Sequence, residues 1–282
     1  MSGTVVGRVE ALWRYPVKSM LGESLQLAPV TEAGLCGDRA YALWDHATDR
    51  VASAKNPRLW SSLLHYRARF VAAPVPGAPL PAAAISAATW VATGASGPAS
   101  PLLTSDPQAS ERLSAWLGRQ VSLLDRPRDG ASLDQYWPRV QEREFQDVVN
   151  ELVLPAGTFF DSCPIHAIST ATLDRLLQLE PSLDFAVERF RPNLVMAPLD
   201  GTEGFVEEAW VGHTLRIGTQ VVLQVKDACS RCVVTTLAQG GLSEEIEILR
   251  ATARHNNVSA GIRLSVLSPG AVAVDDPIVL QQ

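Results

Sequence analysis

Two cysteines separated by two residues are the clearest candidates for chemistry in this chain. Cys229 and Cys232 form a Cys-x-x-Cys motif near the C-terminus. Such a pair can be half of a zinc site, a redox-active dithiol or a chance spacing. A structural zinc site usually needs four ligands, and the other two cysteines, Cys36 and Cys163, do not form a second pair. The redox motif expects a strand, a turn and a helix in an early βαβ unit, whereas this pair follows β-rich sequence. The motif alone leaves these interpretations open.

Basic residues elsewhere could bind an anion, but each has an ordinary structural explanation. Lys18 could be a solvated lysine after a strand, and Arg39 could pair with Asp38 or with Asp45. Arg191 could be a surface cation, and His166 is more often a packed core histidine than a ligand. The sequence has no phosphate loop, Gly-x-Gly-x-x-Gly or Gly-x-Ser-x-Gly motif, which argues against a kinase and a nucleotide-dependent dehydrogenase.

Composition narrows the class of protein. The 282 residues are 46% apolar and 19% charged, which indicates a globular chain rather than a disordered one. A formal net charge of -6 argues against a general binder of nucleic acid or of anionic membranes. The N-terminus lacks a signal-peptide pattern, and no apolar run is long enough to span a bilayer. We therefore expect a cytoplasmic protein.

The elements that must position these residues are mainly strands in the first half of the chain. Apolar and polar residues alternate from Val5 to Tyr15, the period of a half-buried strand. Three further strands are predicted within 24–29, 39–45 and 63–71, and 72–101 reads as an irregular loop around one or two edge strands. Asp106-Pro107 predicts the start of a helix that Gly118 ends. Residues 126–146 read as a polar connection.

The second half mixes strands with two helices. Thr170 and Ser243 are predicted N-caps, of a helix ended by Pro181 and of one running to Asn256-Asn257. Strands are predicted at 193–197, 214–217, 220–225, 261–267 and 271–280. The pattern predicts a β-dominated α+β fold of barrel type. We predict two domains, at residues 1–130 and 131–282.

Five short blocks, taken together, resemble one family. In chain order they are Trp13-Arg-Tyr-Pro-Val-Lys-Ser-Met20, Gly34-Leu-Cys-Gly-Asp-Arg-Ala-Tyr41, Arg189-Phe-Arg-Pro-Asn193, Glu207-Glu-Ala-Trp-Val-Gly212 and Ser230-Arg-Cys-Val-Val-Thr-Thr236. The first two resemble the N-terminal β-barrel domain found ahead of MOSC domains, and the other three resemble the MOSC domain itself. The resemblance runs from about residue 5 to residue 280. Its best-described members are the amidoxime-reducing components, which are molybdenum enzymes.

The resemblance implies a molybdenum cofactor, Mo-molybdopterin, with Cys232 as the metal ligand and catalytic residue. Positions implied to bind the cofactor are Lys18, Ser19, Arg39, Ser162, Cys163, Arg191, Asn193, Ser230, Arg231 and Cys232. A soft thiolate suits molybdenum, and the adjacent Arg231 would help to keep Cys232 ionised. Lysine and arginine suit a pterin phosphate. Cys229 falls three residues before the ligand position, and pyridoxal phosphate is not expected.

The activity implied by the resemblance is reduction of a small N-hydroxylated compound. Electrons would come from a separate donor protein of the flavoprotein, ferredoxin or cytochrome b5 type, and neither a nucleic-acid nor a membrane partner is expected. Two alternatives stay open: a carrier or binding protein for the molybdenum cofactor, and a sulfur-transfer protein with a persulfide on Cys232 and Cys229 as resolving thiol. The sequence after Thr236 departs from that of the amidoxime-reducing relatives, which leaves the natural substrate open.

Overall fold

The computed structural model describes residues 3–88, 100–140 and 146–281. Its strands, numbered β1 to β19 in chain order, are Thr4–Arg14, Glu23–Leu25, Leu27–Thr31, Gly34–Leu35, Ala42–Asp45, Arg50–Val51, Tyr66–Phe70, Ala83–Ala87, Leu102–Leu103, Val121–Leu124, Ser132–Trp137, Val148–Val153, Ile165–Ser169, Leu194–Pro198, Thr214–Ile217, Val221–Ser230, Ser259–Ser268, Gly270–Ala273 and Pro277–Gln281. Its α-helices, α1 to α5, are Pro57–Trp60, Ala109–Leu117, Thr170–Leu179, Val187–Phe190 and Glu247–Asn256. Short 3₁₀ helices cover Ser61–His65, Val206–Trp210 and Val233–Thr236.

Seven strands close into a barrel that forms the centre of the molecule. Their order is β14-β13-β17-β16-β15-β19-β1, and β1 pairs again with β14, so the ring has no open edge. The long first strand bends because its pairing shifts register between Val5 and Gly7 and between Val9 and Ala11. Gly7 is required at the bend, since a Cβ there would lie 2.3 Å from the carbonyl oxygen of Ala197.

The predicted fold class is confirmed. The structure is 39% strand and 19% helix, so strands dominate an α+β fold built around a closed barrel. Alternate residues of the strands fill the barrel interior, among them Val9, Leu12, Leu223 and Leu264. The barrel takes β1 from the region predicted as the first domain. The boundary between residues 130 and 131 stays a prediction.

A second apolar core lies in the N-terminal region. It packs Val17, Met20 and Leu43 against Leu113 of α2, among small sheets formed by β10-β5-β6 and β7-β8-β9. The helix predicted from Asp106-Pro107 begins two residues later, because the Asp106 carboxylate accepts the N–H of Gln108 in a turn before the helix. Gly118 ends the helix in the left-handed conformation, as predicted.

The strands around the connection between the two halves differ from the prediction. Residues 126–146, predicted as a polar connection, include β11, which pairs with β12 in a two-stranded sheet. Within 72–101 the structure shows β8 as a strand, and residues 89–99, with Trp90, lie outside the described ranges.

The two C-terminal helices form where predicted, with different first residues. The N-cap of α3 is Ser169 rather than Thr170, because the Ser169 hydroxyl accepts the N–H of Thr172. The last helix starts at Glu247 rather than just after Ser243, and Asn257 ends it in the left-handed conformation. Across the described part of the chain, no helix has both the length and the apolar character needed to cross a bilayer.

Candidate functional site

A cavity of about 310 Å³ lies at one end of the barrel, between the last residues of β16, the segment before β13 and loops of the N-terminal region. Its volume is that of a small cofactor or ligand site. All ten residues predicted to bind the cofactor line this cavity: Lys18, Ser19, Arg39, Ser162, Cys163, Arg191, Asn193, Ser230, Arg231 and Cys232. The fold therefore brings together residues that are more than 200 positions apart in the sequence. Their individual roles stay predictions.

Cys232 lies at the cavity two residues after the end of β16, a strand that is longer than predicted. The predicted strand stops at Val225, whereas β16 continues to Ser230 with three irregularities in its pairing to β17. Cys232 then caps the 3₁₀ helix Val233–Thr236, and its carbonyl oxygen accepts both the N–H and the hydroxyl of Thr235, at 3.2 and 3.0 Å. Its thiol is free and only partly buried. The backbone of the predicted metal ligand is thus fixed while its sulfur reaches the cavity.

The guanidinium of Arg231 contacts the other thiol of the motif. Its Nη1 donates to Cys229 Sγ at 3.0 Å, and its Nη2 donates to the carbonyl oxygen of Phe190 at 2.7 Å. Nη1 also lies 3.3 Å from His166 Nε2. Burial, reinforced by the charge of Arg231, holds the pKa of His166 well below its usual range, so the imidazole is neutral at pH 7. Arg231 therefore links the sulfur of Cys229 to His166 and to the backbone of Phe190.

Two lysines and one aspartate form a cluster on the cavity wall. Lys18 Nζ donates to Asp161 Oδ1 and to the carbonyl oxygen of Phe159, both at 2.6 Å, and Lys55 Nζ lies 3.3 Å from Asp161 Oδ2. Burial would raise the pKa of Asp161, but the two ammonium groups hold it well below its usual range. Burial lowers the pKa of Lys18. Burial also acts to lower the pKa of Lys55, but attraction to Asp161 and to the sulfur of Cys232 outweighs it and raises that pKa.

Two arginines share one aromatic ring. The guanidinium carbons of Arg39 and Arg191 each lie 4.3 Å from the centre of the Tyr15 ring. Burial raises the pKa of Tyr15 to about 12 and lowers that of Arg191 to about 10. Arg39 forms an ion pair with Asp38, one of the two aspartates expected as its partner. Arg191 Nη2 donates to the carbonyl oxygen of Met20 at 2.8 Å. Within the described residues, the buried Nη1 of Arg191 has no hydrogen-bond partner, so it is a donor in place for an anionic ligand.

The Asn193 side chain makes hydrogen bonds to residues that surround the two arginines. Its Nδ2 donates to Asp38 Oδ2 at 3.0 Å and to the carbonyl oxygen of Trp13 at 3.3 Å. Its Oδ1 accepts the N–H of His166 at 3.1 Å. The side chain is almost fully buried. These bonds show Asn193 as a residue that positions its neighbours, which the resemblance did not specify.

The remaining predicted contacts are smaller side chains. Ser19 Oγ accepts the N–H of Ala54 at 3.0 Å, and Ser162 Oγ accepts from Arg263 Nη1 at 3.2 Å. Burial raises the pKa of Cys163 to about 11, so that its sulfur stays protonated and donates to the carbonyl oxygen of Ile165 at 3.2 Å. Cys163 is therefore a neutral wall residue rather than a second thiolate.

Positive charge dominates the cavity of an otherwise acidic protein. Among the residues that the structure describes, one carboxylate, that of Asp161, and six cationic side chains line it: Lys18, Arg39, Lys55, Arg191, Arg231 and Arg263. Arg39 and Arg263 also pair with Asp38 and Asp227, which lie outside the lining. A cavity of this kind favours a ligand with phosphate-like charge.

The zinc interpretation of the cysteine pair finds no set of ligands in the described part of the chain. No group of three or more His, Cys, Asp or Glu side chains there could hold a metal ion. All four cysteines are free.

Sequence reasoning missed several lining residues, chiefly Lys55, Asp161 and Arg263. One signal was available for Lys55: the chain has only three lysines among 24 basic residues, and two of them line this cavity. Asp161 directly precedes the predicted pair Ser162 and Cys163. Arg263 lies on β17 and makes two contacts with the Asp227 carboxylate, both at 2.5 Å. No local sequence pattern predicts this ion pair.

Comparison with known proteins adds family matches over most of the chain. The model of the MOSC N-terminal beta barrel domain matches residues 6–117, and that of the MOSC domain matches residues 156–279. The rat protein named mitochondrial amidoxime reducing component 2 is 26% identical over 297 residues, which covers 97% of this chain and 83% of the rat protein.

Two solved structures show a weaker likeness. The YUAD protein of Bacillus subtilis aligns over 98% of this chain and 95% of its own, with 12% identity and a TM-score of 0.46. YiiM of Geobacillus stearothermophilus aligns over 43% of this chain and 55% of its own, with 18% identity and a TM-score of 0.33. Both scores are below 0.5, too low to establish a shared fold.

Proposed function

Because the chain belongs to the MOSC-domain family, with a MOSC N-terminal beta barrel domain ahead of the MOSC domain, we propose that it is a molybdenum-cofactor-dependent reductase of N-hydroxylated compounds. The observation that carries the proposal is that a partly exposed thiol, Cys232, and six cationic side chains line one cavity. A metal held by dithiolene sulfurs on a phosphate-bearing pterin needs both features, a soft ligand and an anion site.

The residues of the cavity fit that cofactor. Cys232 supplies the soft ligand, on backbone fixed by Thr235. Arg39 and Arg191 supply guanidinium groups, and the buried Nη1 of Arg191 gains a partner when an anion binds. The neutral thiol of Cys163 adds no charge that would compete for the metal. When bound, the molybdenum cofactor supplies two-electron chemistry that removes the oxygen of an N–OH group.

The protein's own part is to bind, orient and shield. The overall change, R–NHOH + 2 e⁻ + 2 H⁺ → R–NH₂ + H₂O, needs an electron source, and we assign that role to a separate donor protein of the flavoprotein, ferredoxin or cytochrome b5 type. Phe160 and Leu152 line the cavity with apolar surface that excludes water from a bound substrate. Arg231 Nη1 contacts Cys229 and His166, and the partly exposed Cys232 thiol lines the same cavity.

Reduction of benzamidoxime with a chemical electron donor tests the proposal. Protein produced in a host that makes molybdenum cofactor should form benzamidine, and the Cys232→Ser variant should not. Protein that retains the cofactor but reduces no N-hydroxylated compound would instead be a carrier. The Cys229→Ser variant is the matched control, because its sulfur lies in the same motif and is bonded to Arg231.

A sulfur-transfer protein is the alternative that uses the same cysteines. The free thiols of Cys229 and Cys232 are compatible with a persulfide on one and resolution by the other. That function has no use for Lys18, Arg39 and Arg191 in the same cavity, whereas the cofactor does. The cations are the reason for preferring the reductase.

A further inference from the structure

The lysine pair on the cavity wall has more positive charge than its partner neutralises. The single carboxylate of Asp161 pairs with two ammonium groups. Lys18 Nζ lies 2.6 Å from its Oδ1, and Lys55 Nζ lies 3.3 Å from its Oδ2. These are two of the chain's three lysines. Two ammonium groups and one carboxylate leave one uncompensated positive charge, beside further arginines that line the same cavity.

The three charged side chains differ in how firmly they are held. Lys18 donates its N–H to the carbonyl oxygen of Tyr41 at 2.8 Å, and the carbonyl oxygen of Lys55 accepts the N–H of Tyr136 at 2.8 Å. All three residues lie outside the strands and helices, but the backbone of Asp161, between β12 and β13, makes no such hydrogen bond to another described residue. Asp161 can therefore turn without disturbing a backbone contact, whereas each lysine is held by one.

Exposure shows the same difference. The side chains of Lys18 and Lys55 are 6% and 13% exposed, and that of Asp161 is 38% exposed. All three line the cavity, and the carboxylate is the more exposed member of the cluster. A carboxylate that turns away from this position can be hydrated, while two buried ammonium groups need another anion.

We infer that Lys18 and Lys55 form a two-lysine phosphate site, and that the Asp161 carboxylate occupies it as an internal counter-ion that a phosphate-bearing ligand displaces. The identity of that ligand as the pterin's phosphate rests on the proposed function. The site itself rests on the geometry of the three side chains. A phosphate monoester has a higher charge than a carboxylate and three acceptor oxygens, so it can satisfy both lysines.

Binding of orthophosphate to the full chain, produced without molybdenum cofactor, tests the inference by calorimetric titration. The Asp161→Asn variant removes the competing charge and should bind orthophosphate about tenfold more tightly. The Lys55→Met variant should bind it about tenfold more weakly. The matched control is Lys226→Met, which changes the one other lysine, an exposed residue outside the cavity lining, and should leave the affinity unchanged.

Thermal unfolding gives a second measurement on the same variants. Without phosphate, Asp161→Asn leaves two buried cations unpaired, so its melting temperature should fall, and saturating orthophosphate should restore more of it than in the unaltered protein. An Asp161→Asn variant that binds phosphate more weakly, as Lys55→Met does, would overturn the inference, because Asp161 would then be positioning the lysines for the ligand.

Loading with cofactor separates the two possible sources of phosphate. If the cofactor's phosphate takes the site, protein that holds the cofactor should no longer bind orthophosphate there. Retained orthophosphate affinity in loaded protein would overturn the cofactor as the source. Failure of the proposed function has a different signature, since protein lacking molybdenum and pterin altogether would still show the tighter binding of Asp161→Asn.

Discussion

Replacement of Asp38 by alanine tests whether one buried carboxylate organises the basic side of the cavity. Asp38 is 6% exposed and accepts three donors: the N–H of Tyr15 at 2.8 Å, the Nδ2 of Asn193 at 3.0 Å and the Nη1 of Arg39. The alanine variant leaves all three without this acceptor. Each buried donor left unsatisfied costs about 1–3 kcal/mol, and an unpaired buried charge costs more than a neutral group.

The loss is moderated by other contacts of the same groups. Arg39 keeps its position over the Tyr15 ring, and Asn193 keeps its bond to the carbonyl oxygen of Trp13. We therefore expect Asp38→Ala to lower the free energy of unfolding by about 4 kcal/mol. For a chain of this size that corresponds to a fall in melting temperature of about 10 °C. The Asp38→Asn variant keeps one acceptor oxygen and should lose about half as much.

Differential scanning calorimetry of the cofactor-free chain measures this directly. Asp125→Ala is the control, since Asp125 is an exposed aspartate and its replacement should change the melting temperature by no more than about 2 °C. An Asp38→Ala variant that melts as Asp125→Ala does would refute the reasoning, because Arg39 and Asn193 would then be held by something other than this carboxylate.

Two further predictions concern the contact between His166 and its surroundings. Gly261 has a φ of +81°, and a Cβ there would lie 2.4 Å from the carbonyl oxygen of Ala167 and 2.6 Å from His166 Nε2. Gly261→Ala should therefore lower the free energy of unfolding, measured in urea, by about 3 kcal/mol or more. A change below about 1 kcal/mol would contradict the close approach. The pKa of folded His166 lies well below the unfolded value of about 6.5, so on acidification the unfolded chain binds this proton first. The contribution of the neutral His166 to the free energy of unfolding is therefore fully present above about pH 6.5. Below that pH it should fall by up to about 1.4 kcal/mol per pH unit. The His166→Gln variant should show a flatter dependence of stability on pH in this range.

The sequence allowed the architecture to be predicted wherever a pattern is local. The alternation from Val5 to Tyr15 corresponds to β1, and Gly118 and Asn257 end helices as expected. The first residue of a helix was harder to predict, because which of two neighbouring residues becomes the N-cap depends on its contacts elsewhere in the fold. Ser169 caps α3 instead of Thr170, since its hydroxyl also donates to the buried carboxylate of Glu207 at 2.5 Å.

The candidate site shows the same division between local and distant information. Lys18, Arg191 and Cys232 were found because each lies in a short block with a recognisable order of residues. Lys55 and Arg263 were missed because what places them in the cavity is pairing with distant residues, which adjacent sequence does not encode. Arg231 is predicted to act on Cys232, and that role stays a prediction; the structure adds a contact from its guanidinium to Cys229, which the sequence did not indicate.

Molybdenum and pterin content of three purified proteins tests the central claim most directly. The unaltered chain, Cys232→Ser and Cys229→Ser would be produced in a host that makes molybdenum cofactor, and the metal measured by mass spectrometry. The unaltered chain and Cys229→Ser should contain stoichiometric molybdenum with pterin, while Cys232→Ser should lose most of the metal. Folded, unaltered protein without molybdenum or pterin, or loss of the metal with Cys229→Ser instead of Cys232→Ser, would contradict the account.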